Sequence, residues 1–456
     1  MEIIMKKKSL WAVVLCLCLA LGCMTGCGKT KQEESKTPTQ EVKSSVAEET
    51  KSSEAEETPD YTGVVFRIAW WGNDTRAEKT TQMIDEFAKN YPGLKVEVEY
   101  CSYGDYYTKI NTQVAGGEMP DVIQIEYDKV STYAKNGQLL ELSPFIEEGT
   151  IDLSNVSVDS LAGGMVGEET YAVSTGNNAA CTIYNATLLE ELGLTLSKTP
   201  TFSEFAEVAK AVYEKTGAKS FEPNYDIPFR SMGGDIYAKN GNAVGFDADM
   251  LTKYFTYVND GMQEGYFLSN DDYREEEHGL SFENKIIWAK PQEWTNQLAN
   301  MDSKTQYNLE LAAIPVADDA VVPNATYFKP AMCWSVSKNS EHPELAAAFI
   351  NFFVNEPIVY DICGYDRGLP ISSEMRSYLG QSANETEKKV LDYFEFLEDG
   401  HVSEINTNVP LNSIEAFAEF NEVLERIEYK NVKNEEIPEL SKQIVEGMKA
   451  FYSEVK

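Results

Sequence analysis

The segment from Val64 to Tyr127 alternates between runs of strand length and longer stretches with helical spacing. The strands read "VVFRIAWWG", "LKVEVEY" and "DVIQIEY", of which the first and third are apolar and the second alternates apolar with charged residues. Between them lie "DTRAEKTTQMIDEFAKNYPG" and "DYYTKINTQVAGGEMP", two predicted helices, the second ending at Gly116 and Gly117. Strand, helix, strand, helix, strand at this spacing predicts an α/β fold with a parallel sheet.

The pattern continues towards the C-terminus. Residues Tyr171–Asn185 form a strand-like run interrupted by Gly and Asn, and a helix capped by Thr201 or Ser203 follows. A further amphipathic helix spans His342–Pro357, and the chain from Asn412 onward reads as two helical pieces. Since 456 residues exceed the size that one hydrophobic core supports, two domains are expected.

The N-terminus has the pattern of a secretory signal. Lys6, Lys7 and Lys8 precede an apolar run from Leu10 to Leu21, which small residues follow. The run is shorter than the roughly 20 residues that span a bilayer, so a signal peptide is favoured over an N-terminal membrane helix. Residues 28–59 lack aromatic side chains and are rich in Lys, Glu, Ser and Thr, which predicts a flexible tether.

The segment "MTGCG", Met24 to Gly28, resembles a bacterial lipobox, in which the cysteine is lipidated and becomes the mature N-terminus. This resemblance implies a signal peptide over residues 1–26, lipidation of Cys27 and a tether over residues 27–60. Cys23 in "ALGC" is the alternative lipidation site. Two acyl chains on one cysteine are enough for stable anchoring to a membrane.

Charge and cysteine content exclude several classes of function. The chain has 74 acidic and 39 basic residues, and its net charge of -35 repels nucleic acids and anionic membranes. Much of this charge is also explained by a solvated surface alone. Outside the N-terminal region the cysteines are far apart and form no CxxC pair, so no metal site is predicted and small buried hydrophobes are favoured over disulfides. These are Cys101, Cys181, Cys333 and Cys363.

Four stretches resemble, in order, the carbohydrate-binding family 1 of extracellular solute-binding proteins of ABC importers. They are "GGEMPDVIQIEYDKVSTYAKNGQLLELSPFI", "YAVSTGNNAACTIYN", "FENKIIWAKPQEW" and "AAIPVADDA...MCWSVSKNSEHPELAAAFINFF". The opening "WWGNDTRAEKT" is similar to a subgroup with a Trp-Trp-Gly first strand. Together the stretches cover most of residues 64 to 456.

The resemblance implies the two-lobed fold of type II periplasmic binding proteins, with an α/β sheet in each lobe and a ligand cleft at the hinge. Lobe 1 would comprise residues 61–178 and about 331–377, and lobe 2 about 179–330 and 378–456. The chain would cross between the lobes near residues 177–182, near residues 328–335 and after residue 377.

A sugar offers apolar C–H faces and a rim of hydroxyl groups, so its site needs flat aromatic rings and planar polar side chains. Such groups collect at the carboxyl ends of strands. Trp70 and Trp71 end the first strand on opposite sides, and we expect Trp71 to face the cleft. Asn73 and Arg76 follow as candidate ligand contacts, although capping of the next helix explains Asn73 equally well.

Further candidates follow the third strand and a later one. Glu126, Tyr127 and Asp128 end the third strand, and Asp128 takes the position of a sugar-binding Asp of the family. Trp294 has the spacing of the family's stacking Trp, and Asn296 beside it offers an amide to sugar hydroxyls. Ile125 stands where the family has a Trp that contacts the ligand, so this part of the site differs from the family's pattern. Gln297 offers a second amide next to Asn296, and Trp288 is expected in the core.

The remaining candidates each have a structural alternative. Asn177 and Trp334 fall at the predicted crossings, where hinge packing competes with ligand contact. Tyr225 and Arg230 belong to an aromatic and polar loop, and Arg367 lies in "GYDRGLP". Either arginine would hold an acidic side chain for a sugar or bind a uronic acid carboxylate, and a surface salt bridge is the alternative.

The predicted function is capture of an extracellular carbohydrate, favouring an oligosaccharide, by a monomeric, lipid-anchored protein on a Gram-positive cell surface. It would deliver this ligand to the permease subunits of an ABC transporter, which an ATPase drives from the cytoplasmic side. No enzymatic activity, cofactor or nucleic-acid partner is expected. The alternatives are a secreted glycan hydrolase, a binding protein for an acidic sugar and a structural surface lipoprotein. Catalytic motifs such as GxSxG, HExxH and GxGxxG are absent, and only three histidines occur.

Overall fold

The computed structural model describes residues 60–239, 243–275, 282–322, 325–399, 402–407, 410 and 412–454. The predicted signal peptide, the lipidation site Cys27 and the tether up to residue 59 lie outside the described residues.

The described chain alternates strands and helices, as the sequence predicts. The strands are β1 Val65–Trp71, β2 Lys95–Cys101, β3 Val122–Ile125, β4 Met165–Val166, β5 Glu169–Thr170, β6 Ala172–Asn185, β7 Lys219–Ser220, β8 Ile287–Trp294, β9 Leu309–Ala312 and β10 Phe328–Val336. The helices of the first half are α1 Asp74–Ala88, α2 Tyr103–Gly116, α3 Tyr127–Lys135, α4 Ser143–Glu147, α5 Val158–Leu161, α6 Ala186–Leu192, α7 Phe202–Thr216 and α8 Asp226–Ser231. Those that follow are α9 Ala248–Glu264, α10 Asn270–Glu275, α11 Leu298–Asp302, α12 Pro343–Asn355, α13 Pro357–Cys363, α14 Ser373–Gly380, α15 Glu385–Glu398, α16 Ser413–Ala416, α17 Ala418–Glu428 and α18 Ile437–Glu454. Short 3₁₀ helices cover Ala162–Gly164, Thr295–Gln297 and Asn434–Glu436.

One path of hydrogen-bonded strands runs through the molecule in the order β2-β1-β3-β10-β6-β8-β7, and β9 also pairs with β6. β1 is parallel to β2 and β3, as predicted. β10 is antiparallel to both β3 and β6, so the sheet as a whole is mixed, while its first three strands have the predicted parallel arrangement. The sequence gives no sign of this, because β10 joins the first three strands only after a long excursion of the chain.

β6 is one continuous strand of 14 residues, where the sequence predicted an interrupted run. Its first part, up to Ala179, pairs with β10, and its last part, from Ala180 to Asn185, pairs with β8 and β9. Polar side chains inside this buried strand bond to neighbouring backbone: the Thr175 hydroxyl donates to the Met332 carbonyl and the Thr182 hydroxyl to the Ala313 carbonyl. β6 therefore belongs to two different strand arrangements along its length.

Separate hydrophobic cores flank the two parts of β6. Near its beginning, α1 and α12 pack onto the face of the sheet that carries Trp70 and Trp334. Beyond its end, α7, α9, α17 and α18 enclose a core around Phe205, Trp288 and Phe420. Trp70 and Trp288 are fully buried, in agreement with their prediction as core residues.

Helix boundaries follow local signals in the sequence. The Thr201 hydroxyl accepts from the Glu204 N–H and the Glu204 carboxylate accepts from the Thr201 N–H, which makes Thr201 the cap of α7. Near the C-terminus, the first of the two predicted helical pieces is divided at Phe417 into α16 and α17.

Among the described helices, none is by itself long and apolar enough to cross a membrane. α12 and α13 pass this test only when taken together, and a bend of 66° separates them.

Gly176 lies where β6 meets the segment Arg367–Leu369, and a Cβ there would overlap the Arg367 carbonyl oxygen. We therefore expect Gly176→Ala to lower the free energy of unfolding by about 1–3 kcal/mol, through overpacking between two backbones. Gly104→Ala is the control, because the nearest atom to its added Cβ is the Ser102 hydroxyl oxygen at 3.9 Å. Chemical denaturation measures both variants, and equal stability of the two would contradict the expectation.

Candidate ligand-binding site

A cavity of about 490 Å³, here called the central cavity, lies at the carboxyl ends of β1, β3 and β8 and against β10. This is the position at which α/β folds gather ligand-binding groups. Its lining residues are Trp71, Arg76, Tyr103, Glu126, Asn178, Trp294, Asn296, Gln297, Lys329, Pro330, Ala331, Met332 and Asp366.

Trp71 and Tyr103, which line the central cavity, belong to a cluster of aromatic rings. The rings of Tyr103, Tyr106 and Tyr107 lie 5.8, 5.1 and 6.0 Å from the Trp71 ring. The Tyr103 hydroxyl donates to the Glu126 carboxylate over 2.7 Å, which raises the pKa of Tyr103 to about 12. Tyr103 and Glu126 therefore hold each other in place beside an aromatic surface.

Trp294, at the end of β8, also lines the central cavity. Trp294 pairs with Ala180 of β6, and the Thr295 hydroxyl accepts from the Ala179 N–H over 3.1 Å. The Lys329 ammonium lies 4.6 Å from the centre of the Trp294 ring, close enough for a cation–π interaction. The position of this indole is thus fixed by β6 on one side and by β10 on the other.

Polar groups complete the rim and the floor. Arg76 lies 3.4 Å from the Asp366 carboxylate, which joins α1 to the segment after α13. Asn178, at the middle of β6, has a buried side-chain oxygen with no hydrogen-bond partner among the described residues. The planar amides and carboxylates around this cavity are suited to pairs of sugar hydroxyls.

Five of the residues predicted from the sequence line the central cavity together, although they come from three separate parts of the chain. These are Trp71, Arg76, Glu126, Trp294 and Asn296. In the predicted pair of Trp70 and Trp71, the structure places Trp71 at the cavity and Trp70 in the core.

Four other predicted residues do not line it. The Asn73 side chain accepts from the Arg76 N–H over 2.9 Å, so it caps α1, which was the alternative interpretation. Tyr127 packs against the cluster that includes Tyr327. One oxygen of Asp128 lies 3.3 Å from Lys129, and Asn177 forms backbone hydrogen bonds in both directions with Leu369.

Tyr225 and Arg230 also lie away from the central cavity. The Tyr225 ring packs against Phe417 and Phe420. The buried Arg230 guanidinium donates to Asp235 over 2.6 Å and lies 4.6 Å from the centre of the Tyr327 ring. Arg230 therefore pairs with an acidic side chain of the chain itself, and the guanidinium of this ion pair is buried.

Trp334 and Arg367 are both buried, and neither lines the central cavity. The Trp334 ring packs between Phe349 and Phe353, at 5.5 and 5.3 Å. Arg367 is 2% exposed and donates to the Gln124 side-chain oxygen and the Thr80 hydroxyl. Burial lowers the pKa of Arg367 to about 10. The Arg367 side chain thus links α1, β3 and β10 to the segment Arg367–Leu369, whose Leu369 bonds to Asn177.

The sequence reasoning missed Tyr103, Asn178, Lys329, Met332 and Asp366 as lining residues. For Tyr103 a signal existed, because it begins a helix directly after β2, the strand next to β1. Lys329 and Met332 had none, since their position depends on the antiparallel entry of β10. Within the described residues, no group of acidic, His or Cys side chains is arranged to hold a metal ion. The four described cysteines are free.

Glu222, in the segment before α8, has a carboxyl group with a strongly shifted pKa. Burial raises the pKa of its carboxyl group to about 7, and the nearby Glu428 carboxylate adds to this effect. Glu428 itself accepts from the Asn270 side chain over 2.7 Å.

Comparison with known proteins identifies the family. Residues 71–358 match the profile of the bacterial extracellular solute-binding proteins. The chain belongs to this family. It is 24% identical over 302 residues to the maltodextrin-binding protein MdxE of Bacillus subtilis (strain 168), an alignment that covers 61% of this chain and 67% of MdxE.

Solved structures of extracellular solute-binding proteins have the same fold. One is the family 1 protein from Alicyclobacillus acidocaldarius, with a TM-score of 0.74, 22% identity, and coverage of 86% of this chain and 99% of that one. Another is a periplasmic oligogalacturonide-binding protein from Yersinia enterocolitica, with a TM-score of 0.69, 19% identity, and coverage of 86% and 99%. The predicted two-lobed α/β fold of an extracellular solute-binding protein is therefore confirmed.

Glu222 makes the stability of this solute-binding protein depend on pH. Its folded carboxyl group keeps its proton up to about pH 7, whereas in an unfolded chain it loses the proton near pH 4.5. Its stabilising contribution is therefore present below pH 4.5 and is lost as the pH rises through 7, on the order of 3 kcal/mol in all. We expect the melting temperature of Glu222→Gln, relative to that of the wild type, to increase from pH 5 to pH 8.

The matched control for Glu222→Gln is Glu446→Gln, on the exposed face of α18. Differential scanning calorimetry at pH 5, 6, 7 and 8 gives the difference between each variant and the wild type. A difference for Glu222→Gln that stays constant across this range, or that the control reproduces, contradicts the assignment.

Proposed function

We propose that this protein captures an extracellular carbohydrate, an oligosaccharide, and delivers it to the permease of an ABC transporter. The relatives support the ligand class: one is a maltodextrin-binding protein and one binds oligogalacturonides. The chain's own residues support it independently, because the central cavity has the groups that a sugar requires.

One observation carries the proposal: three aromatic residues from separate parts of the chain, Trp71, Tyr103 and Trp294, line a single cavity. A sugar ring has two apolar faces, so it packs between flat aromatic surfaces while its equatorial hydroxyls point outward to polar groups. Glu126, Asn178 and Asn296 supply such acceptors and donors at the edge of the same space.

The charges around the cavity favour a neutral sugar over a uronic acid. Arg76, which lines the cavity, has Asp366 as a partner, so its guanidinium needs no carboxylate from the ligand. Arg367 is enclosed by Gln124 and Thr80. Lys329 is engaged with the Trp294 ring.

We propose that the ligand is held by closure of two lobes rather than by covalent chemistry. Lobe 1 comprises residues 61–178 and about 331–377, and lobe 2 about 179–330 and 378–456. Binding energy shifts the equilibrium towards the closed state, which the permease recognises. The relatives are binding proteins, and this role requires no turnover of the sugar.

We also propose, from the N-terminal sequence, that the protein is anchored to the membrane by a lipid. Lipidation of Cys27, after removal of residues 1–26, would hold a monomeric protein at the outer face of a Gram-positive membrane. The segment 28–59 would act as its tether. Metabolic labelling with a fatty acid, in the wild type and in Cys27→Ala and Cys23→Ala variants, tests this assignment, and it fails if Cys27→Ala keeps the label.

Titration calorimetry with the chain from residue 61 onward tests the function. The glycan panel contains length series, from monosaccharide to hexasaccharide, of α-1,4-glucans, β-1,4-glucans, xylans, mannans and galacturonans. We expect saturable binding to a neutral series, with the glycan recovered intact by chromatography. Failure to bind any series refutes carbohydrate capture, and shortened products would indicate a hydrolase instead.

Trp294→Ala removes one of the aromatic side chains that line the central cavity, and we expect it to weaken binding of the selected glycan at least tenfold, or about 1.4 kcal/mol. The reason is the loss of the apolar surface on which the sugar would stack. Tyr100→Ala is the control, because Tyr100 is exposed and packs on Trp70 outside the cavity. Unchanged affinity in Trp294→Ala, with a normal circular dichroism spectrum, removes this residue from the site.

A further inference from the structure

Arg367 is a buried cation whose partners are all neutral. It is 2% exposed, and burial lowers its pKa only to about 10, so the guanidinium is charged at neutral pH. It donates to the Gln124 side-chain oxygen over 3.0 Å and to the Thr80 hydroxyl over 2.6 Å, and it lies 2.8 Å from the Met332 sulfur. In the described part of the chain, none of its hydrogen bonds goes to a carboxylate.

A buried cation without an acidic partner costs the fold free energy. Removal of an ion from water is unfavourable unless an opposite charge and hydrogen bonds compensate it, and an apolar side chain of similar size avoids this cost. Arg376 shows the compensated case in the same chain, because it donates to both oxygens of the Glu398 carboxylate. Fold stability alone therefore does not explain a guanidinium at position 367.

One hydrogen bond of Arg367 leads to Trp71. The buried Gln124 side chain accepts from Arg367 through its oxygen and donates through its nitrogen to the Trp71 carbonyl over 3.4 Å. A guanidinium has donors only, so the amide oxygen of Gln124 must face Arg367 and its nitrogen must face Trp71. Arg367 thus determines which end of this amide faces the Trp71 carbonyl.

A second hydrogen bond leads to Arg76. The buried Thr80 hydroxyl accepts from Arg367 and donates to the Arg76 carbonyl over 2.7 Å. A hydroxyl has a single proton, and Arg367 cannot accept it, so the proton is directed to Arg76. Trp71, Arg76 and Met332 all line the central cavity. One guanidinium is therefore connected to three lining residues, directly or through one side chain.

We propose that Arg367 is a positioning residue of the binding site, which holds Trp71, Arg76 and Met332 in the arrangement that receives the ligand. This proposal rests on the proposed function. The three residues belong to β1, α1 and β10, which are distant in sequence. Ligand contacts bind well when buried hydrogen bonds behind them fix their positions before the ligand arrives. Arg367 acts through these contacts, because it does not itself line the cavity.

Arg367→Met removes the charge and the donors and keeps an unbranched side chain. We expect it to lower the affinity for the glycan that binds in the panel by about tenfold or more, because Gln124 and Thr80 lose the donor that orients them. Without ligand, its denaturation midpoint should not fall below that of the wild type, because the cost of burying the charge is also removed.

Arg376→Met is the matched control, since Glu398 does not line the central cavity. We expect it to lower the denaturation midpoint and to keep the affinity within about twofold of the wild type. Wild-type affinity in Arg367→Met contradicts the proposal. A large loss of stability in Arg367→Met also contradicts it, because the charge would then serve the fold.

Thr80→Val and Thr80→Ser test the connection to Arg76. Val lacks the hydroxyl and Ser keeps it, so we expect the Val variant to bind the glycan several-fold more weakly and the Ser variant to bind it like the wild type. Because the connection runs through Arg367, Thr80→Val should have a smaller effect on affinity in the Arg367→Met background than in the wild type. Fully additive losses, or equal affinities of the two Thr80 variants, contradict the proposal.

Hydrogen exchange of the ligand-free protein tests the positioning without a glycan. Arg367→Met should speed exchange of the amides in residues 71–80 and 122–126, while those of α18 exchange as in the wild type. Unchanged exchange in both places, or equal acceleration in both, contradicts the role of Arg367. Absence of binding of every glycan by the wild type refutes the proposed function instead, and the exchange rates then decide on Arg367 alone.

Discussion

β6 is buried along almost its whole length, and this constraint organises the rest of the molecule. A buried strand must satisfy its backbone groups within the protein. β6 does so with β10 in its first part and with β8 and β9 in its last part, so the two arrangements meet near Asn178 to Ala180. The central cavity opens at this meeting point, because Trp294 pairs with Ala180 and Asn178 lines the cavity.

The segment that contains Arg367 adds a second physical link to this meeting point. Leu369 exchanges backbone hydrogen bonds with Asn177, and Arg367 donates to Thr80 of α1 and to Gln124 of β3. The neighbouring Asp366 reaches Arg76 at the cavity. Interactions of residues 366, 367 and 369 thus connect the rim of the site to the interior of the sheet. A side chain at Gly176 would overlap the backbone of this segment.

The helices and strands were largely predictable from the sequence. Site residues were predictable only where their position depends on nearby strands and helices. Trp71, Arg76 and Glu126 follow strands of the first α/β units, so their common edge could be derived from alternation and from the parallel arrangement. Trp294 was found through the family resemblance. Periodicity could not place Lys329, Met332 and Asp366, because the antiparallel entry of β10 and the return of the chain after α13 are long-range features.

Residue type alone does not reveal which side chains are buried where the chain passes between two parts of a fold. Trp334 and Arg367 have the chemistry of ligand contacts, yet both are enclosed by residues distant in sequence, such as Phe353 and Thr80. Asn73 shows the converse, since its local role as a helix cap was visible in the sequence and is the role it has.

The distribution of indole rings gives this protein an internal optical reporter. Among the described residues, Trp70, Trp288 and Trp334 are fully buried in cores, while Trp71 and Trp294 line the central cavity. A change of intrinsic emission on adding a small solute would therefore arise at the cavity walls, with the other three rings as a constant background. The ammonium of Lys329 over Trp294 makes one of these two signals sensitive to the charge beside it.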